Sequence, residues 1–238
     1  MPDTNLLFQE QPVALRPSPS ERLDALATIM RYRSGQKIYS QEDPAECWYR
    51  VVSGTLRRFA LRSDGRRQIV DFLLPCDWFG FAADSETHAF SVEAVTTGTV
   101  VACFPRRRLE MLADSDPRIA RELRAISSGA ISRLQHQILI LGRIRAPERV
   151  GSFLIEMAVR CACGSSDRVV LPMSRYDIAD YLGLSVETVS RAMTDLKRRG
   201  AIALGGRRQV RIVDAQALDD GDSAERYRTP AGTAAEVT

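Results

Sequence analysis

Glu187, Ser190 and Arg191 lie close together in the sequence and carry side chains that can read base edges in DNA. Arginine pairs with O6 and N7 of guanine, glutamate accepts from N4 of cytosine, and serine bonds to several bases. At about 100° per residue the three fall on one face of a helix. This spacing predicts a DNA-reading helix. The alternative is that Glu187 and Arg191, four residues apart, form an exposed ion pair on an ordinary amphipathic helix.

Two predicted helices position this face. Ser174 with Asp177 resembles a capping box, in which a hydroxyl and a carboxylate bind the free backbone donors at a helix start. Gly183 falls where the chain must turn, and Ser185 can cap the second helix. The face opposite Arg191 is apolar and holds Val189, Met193 and Leu196. The segment is therefore predicted to be a helix–turn–helix.

A β-hairpin is predicted directly after the helices. Gly200 ends the second helix, residues 201–204 form a strand, and Gly205-Gly206 suits a tight two-residue turn into a return strand. Residues 174–213 hold eight basic and four acidic residues, a formal charge of +4, whereas the whole chain carries +3. Positive charge is thus concentrated where a winged helix would meet phosphates.

The rest of the chain divides by composition. Short apolar runs punctuated by glycines, with a hairpin signal at Asp64-Gly65, predict a double-sheet jelly roll before residue 105. The whole chain is predicted to be α+β. Its predicted parts are a flexible arm (1–28), a β-roll (29–105), a dimerisation-helix region (106–145), a winged helix-turn-helix (146–214) and a disordered tail (215–238).

The segment Leu182-Gly-Leu-Ser-Val-Glu-Thr-Val-Ser-Arg191 resembles the recognition segment of the CRP/FNR superfamily of bacterial regulators. Residues 171–183 and 63–72 are similar to its FixK-like branch in particular. The resemblance runs from about residue 30 to residue 213. It implies a double-stranded β-helix like that of cyclic-nucleotide-binding domains, a homodimer, and a transcription activator of low-oxygen genes that contacts RNA polymerase.

The resemblance also implies the DNA site, a palindrome of the form TTGAT-N4-ATCAA. By carry-over, Arg191 reads guanine, Glu187 the paired cytosine side and Ser190 a neighbouring thymine, and Val186 completes the base-reading set. The expected phosphate contacts are Arg175, Ser185, Thr188, Lys197 and Arg207.

A long helix is predicted from Asp116-Pro117, because proline suits the first turn. An apolar stripe then recurs every three or four residues. Its members are Ile119, Leu123, Ile126, Ala130, Leu134, Ile138 and Leu141. Periodicity alone favours a core face, whereas the resemblance implies a parallel dimer helix.

The residues depart from the ligand sites of the superfamily. Relatives that bind cyclic AMP use a glutamate and an Arg-Ser pair; here Phe81 replaces the glutamate, and residues 87–92 hold no arginine. A buried phosphate without a cationic partner is strongly disfavoured, so no cyclic nucleotide is expected. No cysteine precedes Cys47, so no N-terminal iron–sulfur cluster is expected.

Haem and thiol chemistry stay open, as features of an effector-gated sensor of the same superfamily. His88 and His136 are the two histidines, and a lone histidine is more often packed than a ligand. Cys161 and Cys163 lack the further ligands that zinc needs, so no metal is expected. Their oxidation beside the DNA-binding helices could still hinder DNA binding.

Composition argues against other classes of protein. No apolar run approaches the roughly 18 residues that span a bilayer, so no membrane partner is expected. Five cysteines without an export signal favour a reducing compartment, the cytoplasm. A cupin-like enzyme would need a cluster of histidine and carboxylate ligands, which two histidines far apart do not supply. No enzymatic activity is therefore predicted.

Overall fold

The computed structural model describes residues 19–81, 86–161, 168–206 and 208–218. Within these ranges the chain forms a short N-terminal helix, a β-roll, two further helices and a winged helix-turn-helix, which confirms the predicted fold class. The strands of the roll are β1 (Thr28–Tyr32), β2 (Lys37–Tyr39), β3 (Cys47–Ser53), β4 (Leu56–Leu61), β5 (Arg67–Leu73), β6 (Trp78–Phe79), β7 (Ser91–Ala94) and β8 (Thr99–Pro105).

The roll consists of two antiparallel four-stranded sheets packed face to face. Their strand orders are β1-β8-β3-β6 and β2-β7-β4-β5. Inward residues such as Val51, Leu56 and Val101 are almost completely buried between the sheets. β4 and β5 form a hairpin whose turn includes Gly65 at φ +78°, as the Asp64-Gly65 signal predicts.

A short helix covers one end of the roll. Helix α1 (Pro19–Asp24) inserts Leu23, which is 1% exposed, against Phe104 and Ile119. Residues 19–28 of the predicted flexible arm are thus a helix, a turn and the start of β1. They are ordered because an apolar side chain anchors them in the core. Residues 1–18 of the arm lie outside the described ranges.

The helical region after the roll is divided in two. Helix α2 (Arg106–Ser115) ends at Asp116, whose side chain accepts from the Arg118 amide at 3.0 Å and caps helix α3 (Pro117–Leu141). Both ends of α3 pack within their own chain, since Ile119 and Ile140 are almost fully buried. The middle of the helix is more exposed.

The C-terminal domain packs three helices against a small sheet. Its elements are α4 (Ala146–Cys161), β9 (Arg168–Val170), α5 (Arg175–Leu182), α6 (Val186–Arg198), β10 (Ile202–Gly205) and β11 (Gln209–Ile212). Gly205 pairs with Gln209 across the wing, so three residues separate these two paired positions. The predicted two-residue turn at Gly205-Gly206 is wrong, because Gly205 belongs to the ladder.

The start of the predicted tail packs against α4. Leu218 is 2% exposed, and its carbonyl oxygen lies 2.6 Å from where a Cβ on Gly151 would stand. A glycine at residue 151 therefore allows the chain to cross the helix closely. Residues 219–238 of the tail lie outside the described ranges.

Candidate nucleic-acid interface

Helix α5 begins at a complete capping box. The Ser174 hydroxyl accepts from the Asp177 amide at 3.1 Å, and the Asp177 carboxylate accepts from the Ser174 amide at 3.0 Å. The helix ends at Gly183, which has φ +64°, the left-handed conformation that favours glycine. The capping box predicted for the first helix and the glycine turn predicted after it are therefore confirmed.

Helix α6 is capped by Ser185, whose hydroxyl accepts from the Thr188 amide at 3.1 Å. Val189, Met193 and Leu196 are at most 2% exposed and pack into the domain core. This apolar face holds the helix against α4 and α5, so the opposite face points outward. The amphipathic phasing predicted from the sequence is therefore present.

The outward face brings together the predicted base-reading residues. Glu187 and Arg191 are exposed, and Ser190 beside them is half-buried. Thr194 is exposed one turn further and donates its hydroxyl proton to the Ser190 carbonyl at 2.9 Å. The face thus presents a carboxylate, a hydroxyl and a guanidinium within two turns, the groups that recognise base edges.

Glu187 and Arg191 do not form the ion pair of the alternative interpretation. Among the ion pairs of the described ranges, none joins these two side chains, although they are neighbours on the helix. Hydrogen bonds from the Glu187 backbone amide and the Ser185 hydroxyl hold the pKa of the Glu187 carboxyl below its usual value, and the Arg191 charge adds to this. Glu187 is therefore an ionised acceptor, and Arg191 stays available to a partner outside the chain.

Val186 and Thr188 are less available than these residues. Val186 is half-buried and packs against the domain core. Thr188 is also half-buried, and its hydroxyl lies 2.9 Å from that of Ser185 at the helix start. Both flank the outward face and expose only part of their surface.

The basic residues around α6 differ in their freedom. Arg198 and Arg199 both pair with Asp195, at 2.5 and 2.7 Å, whereas Lys197 is exposed beside them. Arg175 at the start of α5 is half-buried, and within the described ranges its Nη1 has no hydrogen-bond partner. Arg207 lies outside the described ranges.

A groove between α5 and the wing was not foreseen from the sequence. It has a volume of about 410 Å³, and Arg175, Tyr176, Met193 and Gln209 are among its lining residues. Tyr176 is 69% exposed, so its hydroxyl and the Arg175 guanidinium occupy one edge of the domain. The sequence does contain one signal for this edge, a tyrosine at the start of a capped helix. Helix N-termini bind phosphates, so a polar side chain at that position can contribute to a DNA contact.

The inside of the β-roll contains packed aromatic rings. Tyr39 stacks on His88 with ring centroids 3.6 Å apart, and Phe79 packs at 6.1 Å on the same tyrosine. Arg58, whose charge acts on the Tyr39 hydroxyl, is paired with Asp71 at 3.2 Å. Aromatic rings thus pack together inside the roll, and the nearby Arg58 is already paired with a carboxylate.

The two histidines and Cys161 are placed in packed surroundings. His88 is 4% exposed, and burial lowers its pKa. Burial, with the charges of Arg160 and Arg143, also lowers the pKa of His136 on α3. Cys161 is half-buried at the end of α4 and packs against the domain core, and Cys163 lies outside the described ranges. Among the described residues, no three His, Cys, Asp or Glu side chains cluster as a metal site would require.

Helix α3 exposes an apolar stripe that differs from the predicted one. Ile119 is fully buried against its own roll and is unavailable to a partner. Ile131, Leu134 and Ile138 are 56%, 38% and 67% exposed, and Ile131 was absent from the predicted stripe. Leu123, Ile126, Ala130 and Leu141 are half-buried. The exposed stripe is thus turned away from the Ile119 face.

In the ranges that the structure covers, no helix combines the length and apolar character needed to cross a membrane. The longest, α3, carries arginines along its length.

Known proteins match both halves of the chain. Residues 29–116 match the cyclic nucleotide-binding domain family, and residues 148–220 match the Crp-like helix-turn-helix domain family. The nitrogen fixation regulation protein FixK of Rhizobium meliloti is 43% identical over 204 residues, which are 86% of this chain and 90% of that protein. The transcriptional activatory protein AadR of Rhodopseudomonas palustris is 35% identical over 86% of this chain and 85% of its own.

A solved structure shows the same architecture. The structure of FixK2 from Bradyrhizobium japonicum superposes with a TM-score of 0.76 and 42% identity, covering 83% of this chain and 98% of that chain. The likeness therefore includes the roll, the long helix and the winged helix-turn-helix together.

Proposed function

The chain belongs to the FixK-like branch of the CRP/FNR superfamily of transcription regulators, and from this premise we propose that it binds palindromic DNA as a homodimer. The proposed site has two TTGAT-like half-sites separated by four base pairs. Arg191 reads guanine, Glu187 the cytosine side of a pair, and Ser190 a neighbouring thymine.

Arg191, which pairs with no carboxylate of the described residues, carries this proposal together with the ionised Glu187 beside it. Both are exposed on a helix whose other face is buried, so the helix can enter a major groove without rearranging its core. Each good contact of this kind contributes about 1–3 kcal/mol of discrimination between bases. Arg175, Ser185, Thr188, Lys197 and Arg207 are proposed phosphate contacts.

The homodimer is proposed to form along α3. Ser127, Ile131, Leu134, Ile138 and Leu141 are spaced alternately by four and three residues, the repeat of a coiled-coil seam. The exposure of Ile131, Leu134 and Ile138 supports this seam, and the burial of Ile119 removes that residue from it. A dimer places two reading helices about 34 Å apart, on successive turns of one DNA face.

The regulator is proposed to act in the cytoplasm, to contact RNA polymerase as an activator, and to control genes used at low oxygen. The names of its relatives, a nitrogen fixation regulation protein and a transcriptional activatory protein, support this assignment. The Tyr39–His88 stack and the pairing of Arg58 with Asp71 in the roll support activity without a cyclic nucleotide. A haem-bound or thiol-gated sensor remains the competing mechanism.

DNA binding by the purified protein tests the proposal. We expect salt-dependent binding to a duplex with the palindrome and much weaker binding to a scrambled duplex of equal composition, measured by fluorescence anisotropy. Equal affinity for the palindromic and the scrambled duplex would contradict the proposal. Transcription from a promoter with the palindrome, in a purified system with RNA polymerase and no added ligand, tests the activator role.

A further inference from the structure

A cluster of ion pairs joins the roll to the first helix of the helix-turn-helix. We name as the clasp Arg57 on β4, Arg67 on β5, Glu93 on β7, and Asp177 and Asp180 on α5. Arg57 Nη1 lies 2.5 Å from Asp177 Oδ1, and Arg67 Nη2 lies 3.0 Å from both Asp177 Oδ1 and Asp180 Oδ2. Both arginines also pair with Glu93. The clasp therefore ties the β4–β5 hairpin to α5.

The roll contacts the backbone of α5 as well as its side chains. Gln68 Nε2 donates to the Asp180 carbonyl at 2.6 Å. Asp177, which is 3% exposed, uses its other oxygen to cap the start of α5 through Ser174. The same carboxylate thus defines where α5 begins and binds it to the roll, so α5 cannot rotate on the roll without breaking both contacts.

Packing beneath the clasp makes the same connection. Phe72 of β5 lies 5.1 Å from Tyr181 of α5 and 6.2 Å from Phe153 of α4, measured between ring centroids. Arg160 of α4 donates to the Phe72 carbonyl at 2.6 Å. The two domains consequently share one core, and β5 contacts both α4 and α5.

These contacts determine the position of α6, the proposed DNA-reading helix. Helix α6 follows α5 through the Gly183 turn and packs on it, while the roll is joined to the proposed dimer helix through Ile119. We propose that Arg67 and Arg57 are positioning residues, which orient the reading helix relative to the dimer axis and thereby select the spacing between half-sites. This inference rests on the proposed function. It implies that the clasp orients the reading helix without a bound ligand.

Spacing is a sensitive measure of that orientation. Each added base pair moves one half-site by about 3.4 Å and turns it by about 35° around the duplex. A dimer with fixed reading helices tolerates one spacing, whereas loosely held helices tolerate several. A mutation that only lowers stability weakens binding to all spacings alike, so the ratio between spacings isolates positioning from folding.

The experiment measures affinities of the full-length protein for duplexes with spacers of three, four and five base pairs. We expect the wild type to prefer one spacer and Arg67→Ala to reduce that preference about tenfold. Arg67→Lys, which keeps the charge, is expected to retain part of it. Arg66→Ala is the matched control, because Arg66 is adjacent, 83% exposed and paired with Asp64 outside the clasp.

An unchanged preference in Arg67→Ala overturns the proposal, whatever its overall affinity, and so does a wild type that binds all spacers equally. If circular dichroism shows that Arg67→Ala does not fold, Asp180→Asn provides the same test, since its side chain is 35% exposed and takes no part in the cap. Failure of the proposed function looks different: the wild type then binds scrambled DNA as tightly as the palindrome.

Discussion

Phe72 of the β-roll and Tyr181 of the first helix-turn-helix helix pack with their ring centroids 5.1 Å apart, and both side chains are fully buried. Because these rings belong to different domains, the roll and the DNA-binding domain should unfold together. We expect Phe72→Ala to cost about 3–5 kcal/mol and to split one calorimetric transition into two.

Phe104→Ala is the matched control for this prediction. Phe104 is equally buried, but it packs in a separate cluster with Leu109 of α2 and Ile119 of α3. The Phe104→Ala variant should have a lower melting temperature without uncoupling the two domains. A single transition in Phe72→Ala, merely shifted to lower temperature, would contradict the shared core.

Arg191 and Lys197 should differ in what they contribute to DNA binding. Arg191→Ala is expected to cost about 1–3 kcal/mol and to relax the preference at one base pair, because Arg191 is proposed to read a base. Lys197→Ala should weaken binding to all sequences alike and reduce the salt dependence by about one counterion. Anisotropy titrations against duplexes with each base at every half-site position distinguish the two. Uniform weakening by Arg191→Ala would remove its base-reading role.

The exposed stripe of α3 should mediate dimerisation. Ile138→Asp is expected to weaken the dimer about 100-fold, from roughly 1.5 kcal/mol of lost burial in each of two copies. DNA binding should weaken with it. Leu139→Asp is the matched control, because Leu139 is 64% exposed against 67% for Ile138 and lies about 100° further round the helix. Sedimentation velocity that shows equal dimer loss in both variants would argue against the seam.

Glu156 should make stability depend on pH. It accepts from Arg160 at 2.9 Å and from the Tyr181 hydroxyl at 3.4 Å, yet burial raises its pKa above the ordinary 4.5 more than Arg160 lowers it. The folded state therefore holds this proton more tightly than the unfolded state. The stabilisation is complete below the unfolded pKa and is lost as pH rises through the raised one.

Glu156→Gln removes this dependence and can keep accepting from Tyr181. Its free energy of unfolding, relative to wild type, should increase as pH rises from about 4.5 and then level off, as measured by urea denaturation at each pH. Glu110→Gln on the exposed side of α2 controls for the loss of a carboxylate. A difference that stays constant, or that turns further against the variant with rising pH, would contradict the prediction.

Local patterns predicted the reading helix well. The Ser174 cap, the Gly183 turn and the buried face of α6 depend on residues within about four positions of one another, so the sequence shows them directly. The same reasoning erred at Gly205, because a glycine pair suits a turn equally well when its first member completes a strand.

Periodicity was ambiguous on α3. It identified an apolar stripe, but it could not tell a face buried in the same chain from a face left for a partner. The structure buries Ile119 against the roll and exposes Ile131, which the predicted stripe left out. Which apolar residues of α3 are buried depends on where α1, α2 and β8 pack against the helix. The spacing of residues along α3 does not encode that packing.

The sequence by itself determined the caps, the two faces of α6, the local excess of positive charge and the absence of a phosphate-binding arginine at residues 87–92. Only the tertiary structure decided how the reading helix is held. Arg67 and Asp177 are 110 residues apart, and they meet because the roll docks on α5. Their pairing follows from the packing of Phe72 on Tyr181, a long-range contact that arises only when the whole chain is folded.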